Sequence, residues 1–294
     1  MKYLPVVFLL FLFACNRKAS DNNAIAEECY RLKPLTSPKH AVQPGEWRAA
    51  YTEAHESLKA YCERKPTAAT ARRSTLYVVQ LGVFDARALT ILAQTKDYLK
   101  AFFQIPVDEL PSVDIKVITP QFLRMNTFGR QIKTAVLLDS LLPSLLPDDA
   151  FALIAFSLYD LYPDEQWNFV FGQASLERRV GVWSLARLGD YNQGDALYRQ
   201  CLMRTIHVAV HETGHMFGMT HCVQNECCMN GSNSLSESDS QPLWLCWECQ
   251  AKICENRKVS PVKPVAALYA WHSKTTPGDT ATEYYRHALQ LLKR

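Results

Sequence analysis

Apolar residues fall along this chain in short blocks whose spacing switches between periods of two and of three to four. "TLYVVQLGVF", residues 75–84, is rich in β-formers and short, which predicts a buried strand. Residues 86–103, "ARALTILAQTKDYLKAFF", carry helical spacing. "VDIKVIT" at 113–119 predicts another strand, "QIKTAVLLDSLLPSLLP" a helix, and "FALIAFSLYDLY" a further strand. "WNFVFGQAS" and "RRVGVWSLAR" predict two more strands separated by a turn. Strands and helices thus alternate to about residue 187, an α/β pattern. A long helix is expected over 196–218, then the polar loop "CMNGSNSLSESDSQP", then a terminal helix from "TATEYYRHALQLLKR". Upstream, Trp47, Tyr51, Ala54, Leu58 and Tyr61 lie three or four apart. They predict one continuous helix face between Gly45 and Pro66.

The start of the chain departs from this pattern. "MKYLPVVFLLFLFA" has one early lysine and then apolar residues from Leu4 to Ala14, a block shorter than the roughly 20 residues of a membrane span. It reads as a secretory signal. "LFAC" resembles a bacterial lipobox, so Cys15 is the expected lipidation site and the new N-terminus. A soluble secreted protein cut near Ala14 is the open alternative. "NRKASDNNAIAEE" at 16–28 is polar and without apolar period, which predicts a mobile tether. The expected location is the bacterial cell envelope, lipid-anchored to a membrane. The rest is ordinary globular composition, 48% apolar and 21% charged. A net charge of +3 from 32 basic and 29 acidic residues, with no basic stripe, argues against nucleic acid as a partner.

Candidate chemistry is concentrated in "HETGHMFGMTHC" at 211–222. His211 and His215 are four apart, on one face of the expected helix, where two imidazoles can converge on one ion. Gly218 can end the helix in a left-handed conformation and turn the chain back, bringing His221 to the same ion. Three neutral histidines leave Zn²⁺ one open position, and Glu212 is placed to act as general base on a water there. His207, four before His211, is an alternative ligand or an outer histidine.

The cysteines sharpen the picture. Six of the ten fall between 222 and 254, beside the histidines, and such clustering favours metal over a disulfide framework. Cys222 and Cys227, with Cys246 and Cys249, can form a closed, structural Cys₄ zinc site. Cys228 rivals Cys227, Cys254 is a further candidate, and disulfides or buried free thiols are the alternatives. Two zinc ions per chain are therefore expected, one catalytic and one structural.

The run from His211 to Cys249 resembles the archaemetzincins, a branch of the metzincin metalloproteases. The resemblance is carried by His211, Glu212, His215, Gly218, His221, Cys222, Cys227, Met229, Cys246 and Cys249, with "NGSNSL" after Met229 and, more loosely, "PGEWRAA" and "GVWSLAR". It implies a zinc metallopeptidase acting on peptide or protein substrates. The implied fold is a metzincin-like α/β (α+β) arrangement, a twisted mixed sheet over the zinc-binding helix with a Cys₄ zinc lobe in the C-terminal part. It implies that Met229 is the Met-turn methionine beneath the metal. It also implies that "GVWSLAR" is the edge strand that pairs with substrate. The expected division is a signal peptide at 1–14, a lipidated cysteine and flexible tether at 15–45, a helical segment at 46–74 and the catalytic domain at 75–294. The competing reading is a zinc-stabilised binding lipoprotein without turnover.

Overall fold

The computed structural model describes residues 24–294. Its main sheet contains β1 (Thr75–Leu81), β2 (Val107–Glu109), β5 (Ala150–Ser157), β7 (Gly172–Ser175) and β8 (Val180–Ser184), in the order β2-β1-β5-β8-β7. β7 pairs antiparallel with β8, and the other pairings are parallel. A smaller sheet holds β3 (Leu123–Asn126), β4 (Gly129–Lys133) and β6 (Asp160–Tyr162). The long helices are α1 (Ala86–Phe103), α2 (Asp195–Met216), α3 (Trp247–Arg257), α4 (Val262–Thr275) and α5 (Thr280–Leu292).

β5 is buried along its whole length. Its unbroken apolar run is what a central parallel strand, covered on both faces, requires. On one face Leu76, Val78, Ile154, Phe156 and Trp183 pack in one cluster with Ile91 and Tyr98 of α1 and Ile206 and Val210 of α2. On the other, Val79, Leu81, Leu153, Ala155 and Val182 meet Ile115, Ile132 and Leu138. Each such buried Leu or Ile contributes about 1.5–3 kcal/mol. α1 starts where the Asp85 carboxylate accepts the Ala88 N–H at 2.8 Å. α2 runs beneath β8 so closely that a Cβ at Gly181 would lie 2.9 Å from Met216 Cε. The sheet thus sits over the helix that carries the histidines, as the resemblance implied.

Several expectations give way. Residues 113–119 form no strand of the sheet: Ile115–Val117 is a 3₁₀ turn, opened by the Asp114 carboxylate accepting the Lys116 N–H at 2.9 Å. Ile115 and Ile118, three apart, are the buried pair, so the spacing is that of a turn. The start of "QIKTAVLLDSLLPSLLP" belongs to β4, and helical structure begins only at Thr134. "GVWSLAR" is not an edge strand, because β8 lies between β5 and β7, and the edge is β7.

The expected helix across 46–66 is broken into Trp47–Ala50 and Leu58–Glu63, with irregular chain between. Tertiary partners override the apolar spacing: Glu237 takes the Trp47 N–H and Glu248 the Leu58 N–H, so each short helix starts on a carboxylate from elsewhere. The tether is shorter than expected. Residues 24–30 are helical, Cys29 and Leu32 are buried, and Lys39 pairs with Glu226 at 2.8 Å. α3 carries no clean apolar period, since it buries Gln250, Lys252 and Glu255 beside its apolar residues. The signal segment and Cys15 lie outside the described residues. Among the described residues no helix is long and apolar enough to cross a membrane.

Candidate active site and metal centres

α2 delivers His211, Glu212 and His215, as their spacing requires. It ends at Met216; Gly218, two residues on, has φ +78, and the Met219 N–H donates back to the Gly214 carbonyl at 3.0 Å. This left-handed turn reverses the chain and brings His221 to the other two histidines. One ligand atom from each of His211, His215 and His221 lies within 4.8 Å of the others. His211 Nε2 and His215 Nε2 are 3.0 Å apart.

The outer ring nitrogens are already engaged. His211 Nδ1 donates to the Cys228 carbonyl at 2.9 Å, and His215 Nδ1 to the Met219 carbonyl at 2.7 Å. His221 Nδ1 meets both oxygens of Glu53 at 2.9 Å. With Nδ1 as the donor in each ring, Nε2 keeps its lone pair, and the three lone pairs share one space. Burial, with His215 and His221 close by, holds His211 far below the ordinary imidazole range. Burial also lowers His221, against the opposing pull of Glu53. Such rings are neutral, as metal ligation demands. Tetrahedral zinc with Zn–N near 2.05 Å sets ligand nitrogens about 3.3 Å apart, so the donor set fits the ion with small ring adjustments.

Burial raises the Glu212 carboxyl above its usual range, with His215 opposing. Glu212 makes no hydrogen bond among the described residues, so its carboxylate is available for proton transfer. Met229 is buried, and its sulfur packs on the helix between the two histidines: a Cβ at Gly214 would come within 2.5 Å of it. Glycine at 214 is therefore a requirement of this contact. His207 stands apart. Its Nδ1 bonds Ser238 Oγ at 2.9 Å, and burial lowers it to about 4. It is not one of the three clustered histidines.

A second cluster lies one residue beyond His221. Cys222, Cys227, Cys246 and Cys249 are all buried, with their sulfurs within 4.8 Å of one another. Cys222 Sγ and Cys246 Sγ are 3.8 Å apart, the separation expected for two sulfurs about 2.3 Å from a tetrahedral zinc. Thiols of Cys227, Cys246 and Cys249 donating to Cys222 hold it far down, while Cys227 is pushed up by burial and Cys249 by Cys222. Four sulfurs packed this way cannot all ionise without a cation, so the donor chemistry fits zinc. Cys228 and Cys254 are not in this set. Cys228 serves instead through its carbonyl on His211.

Glu53 and the two carbonyls were invisible in the sequence. A three-histidine motif announces that outer partners for Nδ1 exist, but no local spacing names a residue 168 positions away.

A sheet laid over a helix that turns at glycine to add a third histidine defines a zinc metallopeptidase of the metzincin type. Comparison with known proteins narrows this. Peptidase family M54 matches residues 111–255. Archaemetzincin-2 of Homo sapiens is 30% identical over 298 residues, covering 89% of this chain and 82% of that one. The archaemetzincin of Archaeoglobus fulgidus is 32% identical over 178 residues, 60% of this chain and 98% of that one. The solved archaemetzincin of Methanopyrus kandleri matches with a TM-score of 0.51 at 26% identity, over 64% of this chain and 97% of that one. The chain belongs to the archaemetzincin family, and it is a zinc metallopeptidase.

Proposed function

We propose that His211, His215 and His221 hold the catalytic zinc, that Glu212 is the general base, and that Cys222, Cys227, Cys246 and Cys249 hold a second, structural zinc. The observation that carries this is the engagement of all three Nδ1 atoms, which leaves three Nε2 lone pairs facing one another. Zinc held there supplies Lewis acidity, making water more acidic and polarising the scissile carbonyl.

The chain's own residues do the rest. Glu212, raised by burial, takes the proton of the attacking water and gives it to the departing amine. A carboxyl with too low a pKa would accept the proton weakly, so burial of the base serves the reaction. Met229 supports the helix turn between two of the three ligands. The outer edge of β7 is unpaired with any strand among the described residues. It offers backbone groups to an extended peptide, which would add as a strand and lie across the helix. Membership of a peptidase family and an available base disfavour the alternative of a binding protein without turnover. Anchoring through a lipid on Cys15 is kept as part of the proposal, on the strength of "LFAC" after a short apolar block.

The test is to incubate the purified protein with a peptide library and follow cleavage by mass spectrometry, beside a chelator-treated sample and Glu212→Gln. Cleavage confined to the metal-loaded wild type supports the assignment. Turnover by Glu212→Gln within tenfold of wild type would show that another group is the base.

A further inference from the structure

His221 differs from the other two ligands in how it is held. His211 and His215 stand on a helix and lean on carbonyls from the motif's own neighbourhood, Cys228 and Met219. His221 lies beyond Gly218, outside any helix, and its ring is held by a carboxylate from the irregular segment 51–57. That segment is itself fixed. Glu237 grips the Trp47 N–H at 2.9 Å, and the indole ring fills the space that a side chain at Gly231 would need, 2.5 Å from its Cβ position. The Trp47 indole N–H then donates to Glu53 Oε2 at 3.1 Å, and the same ring meets His221 edge-on at 5.0 Å between centroids.

We propose that Glu53 is a positioning residue for the catalytic centre: its carboxylate, oriented by Trp47, accepts the His221 Nδ1–H and fixes the ring with Nε2 toward the metal. This rests on the assignment of His211, His215 and His221 as a zinc site. A carboxylate behind a histidine locks its tautomer, limits ring rotation and raises the basicity of the ligating nitrogen. Loss of such an outer partner weakens metal binding by about 10–100-fold. The N-terminal segment therefore belongs to the active site, although it precedes the first strand of the sheet.

Zinc release to a chromophoric chelator tests this without reference to peptide cleavage. The release phase missing from His221→Ala identifies the histidine site, and total zinc is counted for every variant. Glu53→Ala is expected to speed that phase by about 10–100-fold and to leave the cysteine-site phase unchanged. Glu53→Asp is expected to recover much of the loss, and Trp47→Phe, which removes the indole N–H but keeps a ring, to fall between. Ser57→Ala loosens the far end of the segment, where Ser57 Oγ caps the next helix, without touching His221. It is expected to release zinc at the wild-type rate. A Glu53→Ala rate within twofold of wild type, or an equal effect of Ser57→Ala, overturns the proposal while leaving the zinc site standing. Faster peptide cleavage by Glu53→Ala with unchanged zinc release also overturns it, since Glu53 would then block the site. Wild-type protein with no zinc beyond that of His221→Ala overturns the site and the proposal together.

Discussion

At the residue scale, the site is governed by which atom of each side chain is already spoken for. Engaged Nδ1 atoms leave three histidines with free Nε2 lone pairs, and under the proposal above these are the ligands and Glu212 the base. Glu212→Gln keeps shape and volume but cannot accept a proton. Peptide hydrolysis is expected to drop by about 10²–10⁴-fold, the usual contribution of general base catalysis, with zinc content unchanged. Comparing kcat of the variant with its bound zinc, measured on the same preparation, checks both halves. Loss of zinc along with activity would instead place Glu212 in the metal shell. At this scale the sequence was most legible where partners are local. His211, His215, Gly218 and His221 follow from helical spacing and one left-handed turn. Cys227 could not be separated from Cys228 by spacing, because adjacent residues differ only in which way the backbone turns them. The structure sends the thiol of one to the cluster and the carbonyl of the other to His211.

At the element scale, two connections tie the metal centres together. Cys222 follows His221 directly, so their Cα atoms are about 3.8 Å apart. Cys227 precedes Cys228, whose carbonyl orients His211. The Cys222 N–H also donates to the Met229 carbonyl at 2.8 Å, closing the loop beneath the helix. Under the proposal, a zinc held by the four cysteines would thereby fix the backbone of His221, the outer partner of His211 and the supporting Met229. Cys246→Ser, distant in sequence, is expected to weaken zinc at the histidine site as well as at its own. Zinc stoichiometry and activity, read under conditions where circular dichroism shows the variant folded, decide the matter. One zinc lost with full activity would show the centres to be independent.

The same scale explains what the pattern of apolar residues conveyed. α1 emerges over the residues expected because its buried face repeats every three to four positions and Asp85 caps it. The segment 46–66 misled because Trp47, Tyr51 and Tyr61 have helical spacing for separate reasons. Trp47 stacks on Tyr51 beside the site, whereas the Tyr61 hydroxyl donates to the Phe217 carbonyl at 2.8 Å. α4 adds a pH dependence. His272 is fully buried between the Tyr98 hydroxyl and Thr276, and burial lowers it to about 4. In the unfolded chain it titrates near 6.5. Between those values the unfolded state binds a proton that the folded state refuses, so stability is lost as pH falls from about 6.5 toward 4. At pH 4.5 the loss from this one group is about 2–3 kcal/mol. His272→Gln, which can still bond both neighbours, is expected to be destabilising at pH 7.5 and much less so at pH 4.5. Urea midpoints of both proteins at the two pH values check it, and a constant difference would sink the assignment.

At the scale of the whole molecule, the N-terminal part is drawn onto the catalytic body. Pro38 bridges Asn225, Lys39 pairs with Glu226, and the Lys39 N–H donates to the Gln224 carbonyl at 2.8 Å. All three partners lie in the loop between Cys222 and Cys227. The sequence suggested free chain as far as residue 45, because 16–28 is polar, and the polar residues concealed Cys29 and Leu32, which are buried. This changes what a lipid on Cys15 would do. Only eight residues lie between it and Ala24, where the described helix begins, and a fully extended chain over that stretch reaches about 30 Å at most. A lipidated chain would hold its zinc site close to the membrane surface, and its substrates would be peptides or proteins found there. Expressed in a bacterial host, wild type is expected to fractionate with membranes and to carry acyl chains on Cys15 by mass spectrometry. Cys15→Ser is expected to escape lipidation and cleavage at that position while retaining zinc and peptide cleavage, since the catalytic body is untouched. Soluble, unlipidated wild type in the export compartment would overturn the anchor and leave the peptidase assignment as it stands.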